Sequence, residues 1–265
     1  MSTDKPIHPK KCPVCGIVTT YIYRIAHGKD GAVSTWFRCN CGVIFNNEVP
    51  SGAKYDNKYI EDYRVPSVIK RSITGCTTYA PLIEKLTYGR ELLDVGFCCN
   101  YNIKEFERRG WLAYGIDINK SISGHDNIYS GDFLNYDFNI QIDEATLREN
   151  TGSTELPKRT FDLIWMSDVL ESLKDPLAGL KKAVSLLSES GVLYISTPDI
   201  DFISKTGVPA FPHWRKDENY VMWNERSLKR ELERLGLQVI MCRRNFQTCF
   251  YSFFNLHVIA QKIYY

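Results

Sequence analysis

The sequence predicts a mixed α/β protein in which a seven-stranded, mostly parallel sheet with helices on both faces follows a small β-domain. Two observations support this prediction. From residue 78 onward, short apolar runs alternate with amphipathic helical segments, a pattern typical of a parallel sheet covered on both faces. Before that point, four cysteines lie among β-branched and aromatic residues. We therefore expect a β-domain over residues 1–48, a polar linker with a short helix over 49–77, and an α/β domain over 78–265.

The bulk composition is that of an ordinary globular protein of 265 residues, with 44% hydrophobic and 24% charged residues. A formal net charge of +2 gives little electrostatic support for nucleic acid or an anionic membrane as a partner. The N-terminal segment lacks the apolar core of a signal peptide, and no run approaches the ~18 apolar residues of a membrane span. We therefore expect a cytoplasmic protein without a membrane partner, in which thiols stay reduced.

The first 41 residues contain four of the nine cysteines, and their spacing is typical of a structural zinc ribbon. They form two close pairs, Cys12 with Cys15 and Cys39 with Cys41. Zinc takes four thiolates in a tetrahedron, and each short loop between strands supplies two of them. Only one residue separates the second pair, so free or disulfide-bonded cysteines in a small sheet are the alternative. Because four thiolates leave no open coordination position, we expect the metal to be structural.

The elements of the main domain follow in a regular order after a short helix expected over residues 79–89. Each expected strand is a short apolar run, and the expected helices end near glycines. The strands cover 91–96, 111–118, 127–133, 161–168, 191–197, 238–247 and 254–263, and the helices between them cover 100–110, 175–191 and 224–237. Ligands of parallel sheets bind beyond the carboxyl ends of the strands, so the polar residues at these ends form the candidate site.

Four segments carry a resemblance to a known family. They are LLDVGFCCNYNIKEFERRGWLAYGIDIN at 92–119, GDF at 131–133, FDLIWMSDVLESLKDP at 161–176 and GVLYISTPD at 191–199. In this order they resemble the class I S-adenosylmethionine-dependent methyltransferases. Together with the cysteine segment, the chain is similar to a subgroup with an N-terminal ribbon that methylates sugars and small metabolites. The resemblance implies a Rossmann-like sheet and S-adenosylmethionine as cofactor, beside the structural Zn²⁺.

The resemblance also implies roles for the acidic residues at the strand ends. Asp94 and Gly96 match the motif that wraps the methionine part of the cofactor. Asp117 matches the residue that accepts hydrogen bonds from both ribose hydroxyls, for which a carboxylate offers two acceptor oxygens. Asp132 matches the acidic residue beside adenine. The alternative for each aspartate is a structural place in a turn or a cap.

Two further parts of the family pattern concern the cofactor. Met166 and Ser167 match the end of the fourth strand, which flanks the cofactor and the reacting centre. In the first motif, Cys98 and Asn100 stand in place of two glycines. Cysteine is small, so we assign Cys98 to the cofactor site on the condition that its backbone does not take a positive φ.

The long loop after the fifth strand is expected to lie over the strand ends, where an acceptor would bind. His213 is the histidine of this loop and the candidate general base or substrate contact. Tyr220 and Asp168 are the alternatives for the catalytic role. A histidine that merely packs beside Trp214 is the competing interpretation.

The leading hypothesis is an S-adenosylmethionine-dependent methyltransferase that acts on a small metabolite, with a sugar or sugar nucleotide as the favoured acceptor. One alternative is an RNA methyltransferase, because a zinc ribbon also precedes such domains, although the near-neutral charge argues against nucleic acid. The other alternative is a catalytically inactive binding or assembly protein. It is kept because the loop at residues 96–100, which we call the cofactor loop, lacks two of the glycines of the family motif. The oligomeric state is left open.

Overall fold

The computed structural model describes residues 8–27, 32–119, 127–139, 159–244 and 255–263. The strands in this part of the chain are β1 Lys10–Lys11, β2 Val18–Thr19, β3 Ile22–His27, β4 Ala32–Arg38, β5 Ile44–Asn46, β6 Glu91–Val95, β7 Leu112–Asp117, β8 Ile128–Ser130, β9 Phe161–Ser167, β10 Leu187–Pro198, β11 Val221–Met222, β12 Leu237–Arg244 and β13 Asn255–Lys262. The helices are α1 Asn57–Tyr63, α2 Pro66–Leu86, α3 Tyr101–Arg108, α4 Pro176–Leu186, α5 Ile203–Thr206 and α6 Glu225–Arg234. Short 3₁₀ turns follow β9 at Leu170–Ser172 and β10 at Ile200–Phe202.

The main sheet has seven strands in the order β12-β13-β10-β9-β6-β7-β8. The five strands from β10 to β8 are parallel to their neighbours, whereas β13 runs antiparallel between β10 and β12. These strands confirm the α/β class and the seven-stranded, Rossmann-like sheet. Along the chain, β7 and β8 are added on one side of β6, and β9 is then added on the other side of β6. The carboxyl ends of β6 and β9 therefore border the crevice where such sheets bind ligands.

Helices cover both faces of this sheet, as predicted. On one face, residues of α4 and α6 share a core with Leu93, Val95 and Met166. On the other face, residues of α2 and α3 share a core with Leu92 and Trp165. Side chains along a strand point to opposite faces in turn, so a sheet covered twice needs apolar residues at almost every position. This requirement explains the nearly unbroken apolar runs of β6 and β9.

The N-terminal ribbon forms a second, antiparallel sheet in the order β11-β5-β4-β3. Its last strand, β11, comes from the main domain and pairs with β5. Trp36 of β4 packs 5.2 Å from Trp214, ring centre to ring centre, and Phe37 belongs to the main core. Both faces of the ribbon are thus covered by the main domain, while the domain boundaries proposed from sequence stay a prediction.

Two helices differ in length from the expectation. The helix expected over 79–89 begins at Pro66, where the first helical turn tolerates the missing N–H of proline. Its first half is rich in serine and threonine, which are weak helix formers, so the apolar period there is faint. The helix expected over 175–191 ends at Leu186, because Leu187 has extended backbone and pairs with Phe161. None of the helices in the described ranges is long and apolar enough to span a membrane.

Candidate functional site

Four cysteine sulfurs meet at one end of the ribbon. The Sγ atoms of Cys12 and Cys41 lie 3.6 Å apart, those of Cys15 and Cys39 lie 3.4 Å apart, and all four lie within 4.8 Å of one another. A tetrahedral zinc ion with Zn–S bonds of about 2.3 Å needs sulfurs about 3.8 Å apart, so the set fits zinc. The backbone N–H of Val14 also lies 3.4 Å from Cys12 Sγ, a contact that stabilises a thiolate ligand.

The second cysteine loop is held against the start of α6. Gly42 has a φ of 98°, and a Cβ at this position would lie 2.9 Å from Asn224 Oδ1. Asn224 is the N-cap of α6, as predicted, and it forms a capping box with Ser227. Arg230 donates from its guanidinium to the Cys41 carbonyl at 2.9 Å. A metal bound by the four cysteines would therefore fix the shape of the loop that contacts the main domain.

The loop after β6 folds back over the carboxyl end of the sheet in a conformation that favours glycine. Gly96 has a φ of 68°, and a Cβ there would lie 2.5 Å from Val169 Cγ2. Cys98 and Asn100 have φ values of 52° and 51°, in the left-handed region that costs a non-glycine residue about 1–2 kcal/mol. The assignment of Cys98 from the sequence required that its φ is not positive, and the structure does not meet this condition. The loop keeps its glycine-type shape and carries the strain of two larger residues.

Asp117, at the end of β7, holds this loop in place and faces the cavity beside it. Its Oδ2 accepts the backbone N–H of Cys98 at 3.0 Å, and its Oδ1 accepts the N–H of Asn119 at 2.9 Å. Each carboxylate oxygen has a further lone pair, so both oxygens can also accept from a ligand diol. Burial raises the pKa of Asp117 above its usual range.

Asp94 lies beneath the loop and is almost fully buried. Burial raises the pKa of this carboxyl well above its usual range, while a hydrogen bond from Asn102 acts in the opposite direction. Its Oδ2 has no hydrogen-bond partner among the described residues. Asp94 does not line the cavity, so the structure does not bring it to the site with the other predicted residues.

Asp132 lies in the turn after β8 and lines the same cavity. Its Oδ1 accepts the N–H of Leu134 at 3.0 Å, and its Oδ2 accepts from the side chain of Asn135 at 2.9 Å. The carboxylate therefore caps a turn, which was the structural alternative. This role leaves lone pairs for a ligand but ties the side chain to its own loop.

One cavity of about 480 Å³ runs from the cofactor loop across the carboxyl ends of the strands. Gly96, Cys98, Asp117, Asp132 and Ser167 line its first end, which we call the cofactor end. Met166, predicted beside them, is fully buried in the core on the other face. The cavity continues to a second end, the acceptor end, lined by α2, β10, β12 and β13 through Tyr79, Tyr194, Ser196, Arg243, Asn255 and His257.

Asp168 is the proposed catalytic residue that lies between the two ends. Its φ is 55°, which turns the chain sharply after β9. Its Oδ1 accepts from the side chain of Asn255 at 2.7 Å, and its N–H donates to the carbonyl of Ser196 at 2.8 Å. The carboxylate is therefore held on the wall of the cavity with one oxygen anchored.

The other two catalytic predictions fall outside the lining of this cavity. His213 is buried beside Phe211, with ring centres 5.3 Å apart, and its carbonyl accepts from Asn219. Tyr220 is half-buried, and its N–H donates to the carbonyl of Glu171 at 2.6 Å. The structure thus brings Asp168 to the site and places His213 and Tyr220 against the ribbon side of the molecule.

Three tyrosines of the linker line the cavity and were missed. The rings of Tyr55 and Tyr59 lie 5.1 Å apart and those of Tyr59 and Tyr63 lie 4.4 Å apart. Arg215 donates to the Tyr63 hydroxyl at 3.3 Å, which ties this stack to the loop after β10. The signal in the sequence was their four-residue spacing, which places side chains on one face of a helix.

His257 of β13 lines the acceptor end and is not among the residues predicted from the sequence. Its Nδ1 lies 2.9 Å from the Tyr194 hydroxyl, and Tyr79 stacks on its ring at 5.2 Å. Burial lowers the pKa of His257 to about 4, so the imidazole is neutral at pH 7. Alternation with apolar residues could not reveal this position, which depends on the pairing of β13 with β10.

The model of the methyltransferase domain family matches residues 71–241. This chain belongs to the methyltransferase domain family. Among curated proteins, this chain is 26% identical over 110 residues to the ubiquinone biosynthesis O-methyltransferase of Aeromonas salmonicida (strain A449), a match that covers 42% of this chain and 44% of that protein. The chain thus spans less than half the length of this curated relative.

Solved structures resemble this chain in fold at low sequence identity. A methyltransferase dependent on S-adenosylmethionine from Archaeoglobus fulgidus has a TM-score of 0.53 and 15% identity, over 78% of this chain and all (100%) of that chain. A chain from the complex of the Haloferax volcanii Trm112 methyltransferase activator with its putative methyltransferase has a TM-score of 0.51 and 12% identity, over 77% and 98%. A glycopeptide N-methyltransferase complexed with S-adenosylmethionine reaches 0.50 and 12%, over 72% and 94%. These likenesses confirm the fold of S-adenosylmethionine-dependent methyltransferases.

Proposed function

We propose that this protein transfers a methyl group from S-adenosylmethionine to a small metabolite, with a sugar or sugar nucleotide as candidate acceptor. The observation that carries the proposal is the continuity of the cavity. It joins the cofactor end, built around Gly96 and Asp117, to an acceptor end with its own polar and aromatic side chains. Two adjoining compartments are what a transfer between two bound molecules requires.

The residues at the cofactor end suit S-adenosylmethionine. The Asp117 carboxylate has lone pairs for the two ribose hydroxyls, and Gly96 leaves space where a side chain would collide with Val169. When bound, the cofactor supplies an electrophilic methyl group on a sulfonium. The protein then has to hold the acceptor atom in line with that group and keep water away, which alone lowers the barrier by several kcal/mol or more.

Asp168 is the proposed general base for a hydroxyl acceptor. It lines the cavity where the two ends meet, and its Oδ1 is oriented by Asn255. An anchored carboxylate with one free oxygen can accept the proton that the acceptor loses, an effect worth about 10²–10⁴ in rate. His213 is the weaker candidate for the general base. It lies away from the cavity lining and would reach the acceptor only after a rearrangement of the loop after β10.

Two measurements test the proposal in order. Calorimetric titration with S-adenosylhomocysteine is expected to show binding in the low micromolar range. Mass spectrometry of metabolite mixtures incubated with isotopically labelled S-adenosylmethionine is then expected to reveal a labelled small product. Folded, zinc-loaded protein that does not bind S-adenosylhomocysteine would contradict the enzyme proposal and favour the inactive binding protein. In a parallel incubation with total RNA, label that enters RNA while no small product is labelled would favour the RNA alternative.

The base is tested with a matched pair of variants. Asp168→Asn keeps a residue that tolerates a left-handed backbone and can still accept from Asn255, so the fold should survive. We expect its product rate to fall by about 100-fold with unchanged cofactor binding. His213→Ala is the comparison and should retain most of the rate. The reverse result would move the catalytic role to His213.

A further inference from the structure

We propose that the acceptor is an anion, whose carboxylate or phosphate group pairs with Arg243 at the outer edge of the acceptor end. The remainder of the acceptor then lies beside the edges of Tyr79 and Tyr194, which line the cavity, with its reacting atom toward Asp168. This inference rests on the proposed methyl transfer and names the chemical class of its substrate.

The register of four neighbouring strands places Arg243 in line with the site. Ser167 of β9 is opposite Ser196 of β10, Ser196 is opposite His257 of β13, and His257 is opposite Arg243 of β12. Residues directly opposite one another share a face of the sheet. Neighbouring strands are about 4.8 Å apart, so Arg243 lies about 10 Å along this row from Ser196. A small metabolite can span that distance.

The charge of Arg243 is not neutralised within the described part of the chain. Its side chain is exposed and lines the cavity, and no described carboxylate forms an ion pair with it. The neighbouring Arg244 differs, because it pairs with Asp199 at 2.5 Å and with Asp201 at 2.6 Å. The imidazole of His257, with its lowered pKa of about 4, adds no positive charge at pH 7. An arginine fork in this setting fits a carboxylate or a phosphate.

Three buried polar atoms around the acceptor end lack hydrogen-bond partners among the described residues. They are Trp165 Nε1, Asn255 Oδ1 and His257 Nε2, in residues only 2%, 4% and 8% exposed. All three residues line the cavity. A buried polar group left without a partner costs about 1–3 kcal/mol, and proteins rarely leave such groups unpaired. Each of these atoms has less than 1 Å² of exposed surface, so a ligand reaches it only after a side chain rotates. The three atoms therefore make the compartment polar, whereas the exposed Arg243 selects the charge of the ligand.

Packed aromatic rings limit the space beside Arg243. The rings of Trp165 and Tyr194 stack 3.6 Å apart, centre to centre, and Tyr79 lies 5.2 Å from Tyr194. Because the rings pack on one another and are buried, they form a firm wall and present little more than their edges to the cavity. The expected acceptor therefore combines a compact neutral part, a hydroxyl or amine, and one anionic group.

Two matched pairs of probes test the proposal on the full-length, zinc-loaded protein. The first pair is 4-hydroxybenzoate with 4-hydroxybenzamide, and the second is glucose 6-phosphate with glucose. Each pair keeps the ring and changes the charge, and the pairs distinguish a carboxylate from a phosphate. Binding is measured by calorimetry on the wild type, on Arg243→Gln, and on Lys174→Gln, a control that removes another exposed cation lining the cavity.

We expect the wild type and Lys174→Gln to bind at least one anion about tenfold more tightly than its neutral partner, a modest preference because the arginine is solvent-exposed. Arg243→Gln should lose that preference. Equal binding of anion and neutral partner, binding of none of the four probes, or a preference that survives in Arg243→Gln would overturn the proposal. Titration with S-adenosylhomocysteine in the same samples separates the two ideas. If S-adenosylhomocysteine does not bind, the proposed methyl transfer is contradicted. The preference for anions is a separate measurement and tests only the proposed class of acceptor.

Discussion

The ribbon and the cofactor loop both contain cysteines in contact, yet the two regions are built for different tasks. In the ribbon, Cys15 and Cys39 have sulfurs 3.4 Å apart, and in the loop, Cys98 and Cys99 have sulfurs 3.5 Å apart. Four sulfurs converge in the ribbon, whereas the loop thiols form no group of three or more metal-binding side chains within the described residues. Convergence of four ligands, and not the closeness of one pair, therefore distinguishes the candidate metal site from the loop.

The largest effect is expected from breaking the ribbon site. Cys39→Ser removes one of four thiolates, and structural zinc contributes about 10–16 kcal/mol of apparent binding energy that stabilises the fold. We expect the variant to lose its bound zinc and to unfold its ribbon, as measured by metal analysis and thermal denaturation. Cys99→Ser is the matched control and should keep the zinc. If both variants keep it, the ribbon is not a metal site.

The second effect concerns the shape of the cofactor loop. Cys98→Leu places a larger side chain on a left-handed backbone beside Asp117, and overpacking of about 1–3 kcal/mol corresponds to a loss of cofactor affinity of up to about 100-fold. Cys98→Gly should instead bind normally and gain about 1 kcal/mol of stability, because glycine adopts a positive φ without strain. Calorimetry with S-adenosylhomocysteine checks both variants. Normal binding by Cys98→Leu would mean that the cofactor site is elsewhere.

A smaller effect is expected at Asp117, whose carboxylate holds the loop through the Cys98 N–H and is proposed to bind the cofactor ribose as well. Asp117→Asn loses one acceptor oxygen, and we expect about tenfold weaker binding of S-adenosylhomocysteine. Burial raises the pKa of Asp117, so lowering the pH protonates it and should weaken binding in the wild type. Titrations across the acidic range should show this decline, and the variant should not follow it. Parallel pH profiles would argue against Asp117 as a ligand to the ribose.

The smallest effect on cofactor binding is expected at Cys99. A hydrogen bond from Cys98 lowers the pKa of Cys99 to about 7, and Arg64 acts in the same direction. The thiolate fraction rises with pH through that value and is nearly complete by about pH 8, so the rate of alkylation by iodoacetamide should level off there, whereas an ordinary thiol with a pKa of about 8.5 keeps gaining rate. Mass spectrometry of the loop peptide measures the alkylation rate across this pH range, with Cys99→Ser as control. A rate that still rises several-fold between about pH 8 and about pH 9 would contradict the lowered pKa. Cys99→Ser should bind cofactor within about threefold of the wild type.

The sequence was sufficient for the parts of the fold that depend on local pattern. Apolar runs located the seven strands, and Asn224 was correctly predicted as the N-cap of α6. The start of α2 was not predicted from the sequence, because serine and threonine residues interrupt the periodic pattern of apolar residues there. His213 was chosen from its place in a loop, but its side chain follows the packing of that loop onto the ribbon.

The acceptor end could not be predicted for a different reason. Its row from Ser167 to Arg243 is created by strand pairing between distant segments. A shift of one residue in any of these pairings would turn the side chains of that strand to the other face. Sequence spacing therefore reveals the cofactor loop, which is one continuous segment, but not a site assembled across four strands.

The ribbon sheet also has a consequence for the order in which the molecule can form. Asn46, next to the cysteine loops, is hydrogen-bonded to the carbonyl of Asn219, which lies 173 residues later in the chain, and β11 follows directly after that. On the ribosome, the ribbon emerges first, but the strand that completes its sheet is made only after most of the main domain. Until then β5 exposes an unpaired edge, which can pair with other chains. A metal bound early by the four cysteines would keep the ribbon folded until β11 has been synthesised and can pair with β5.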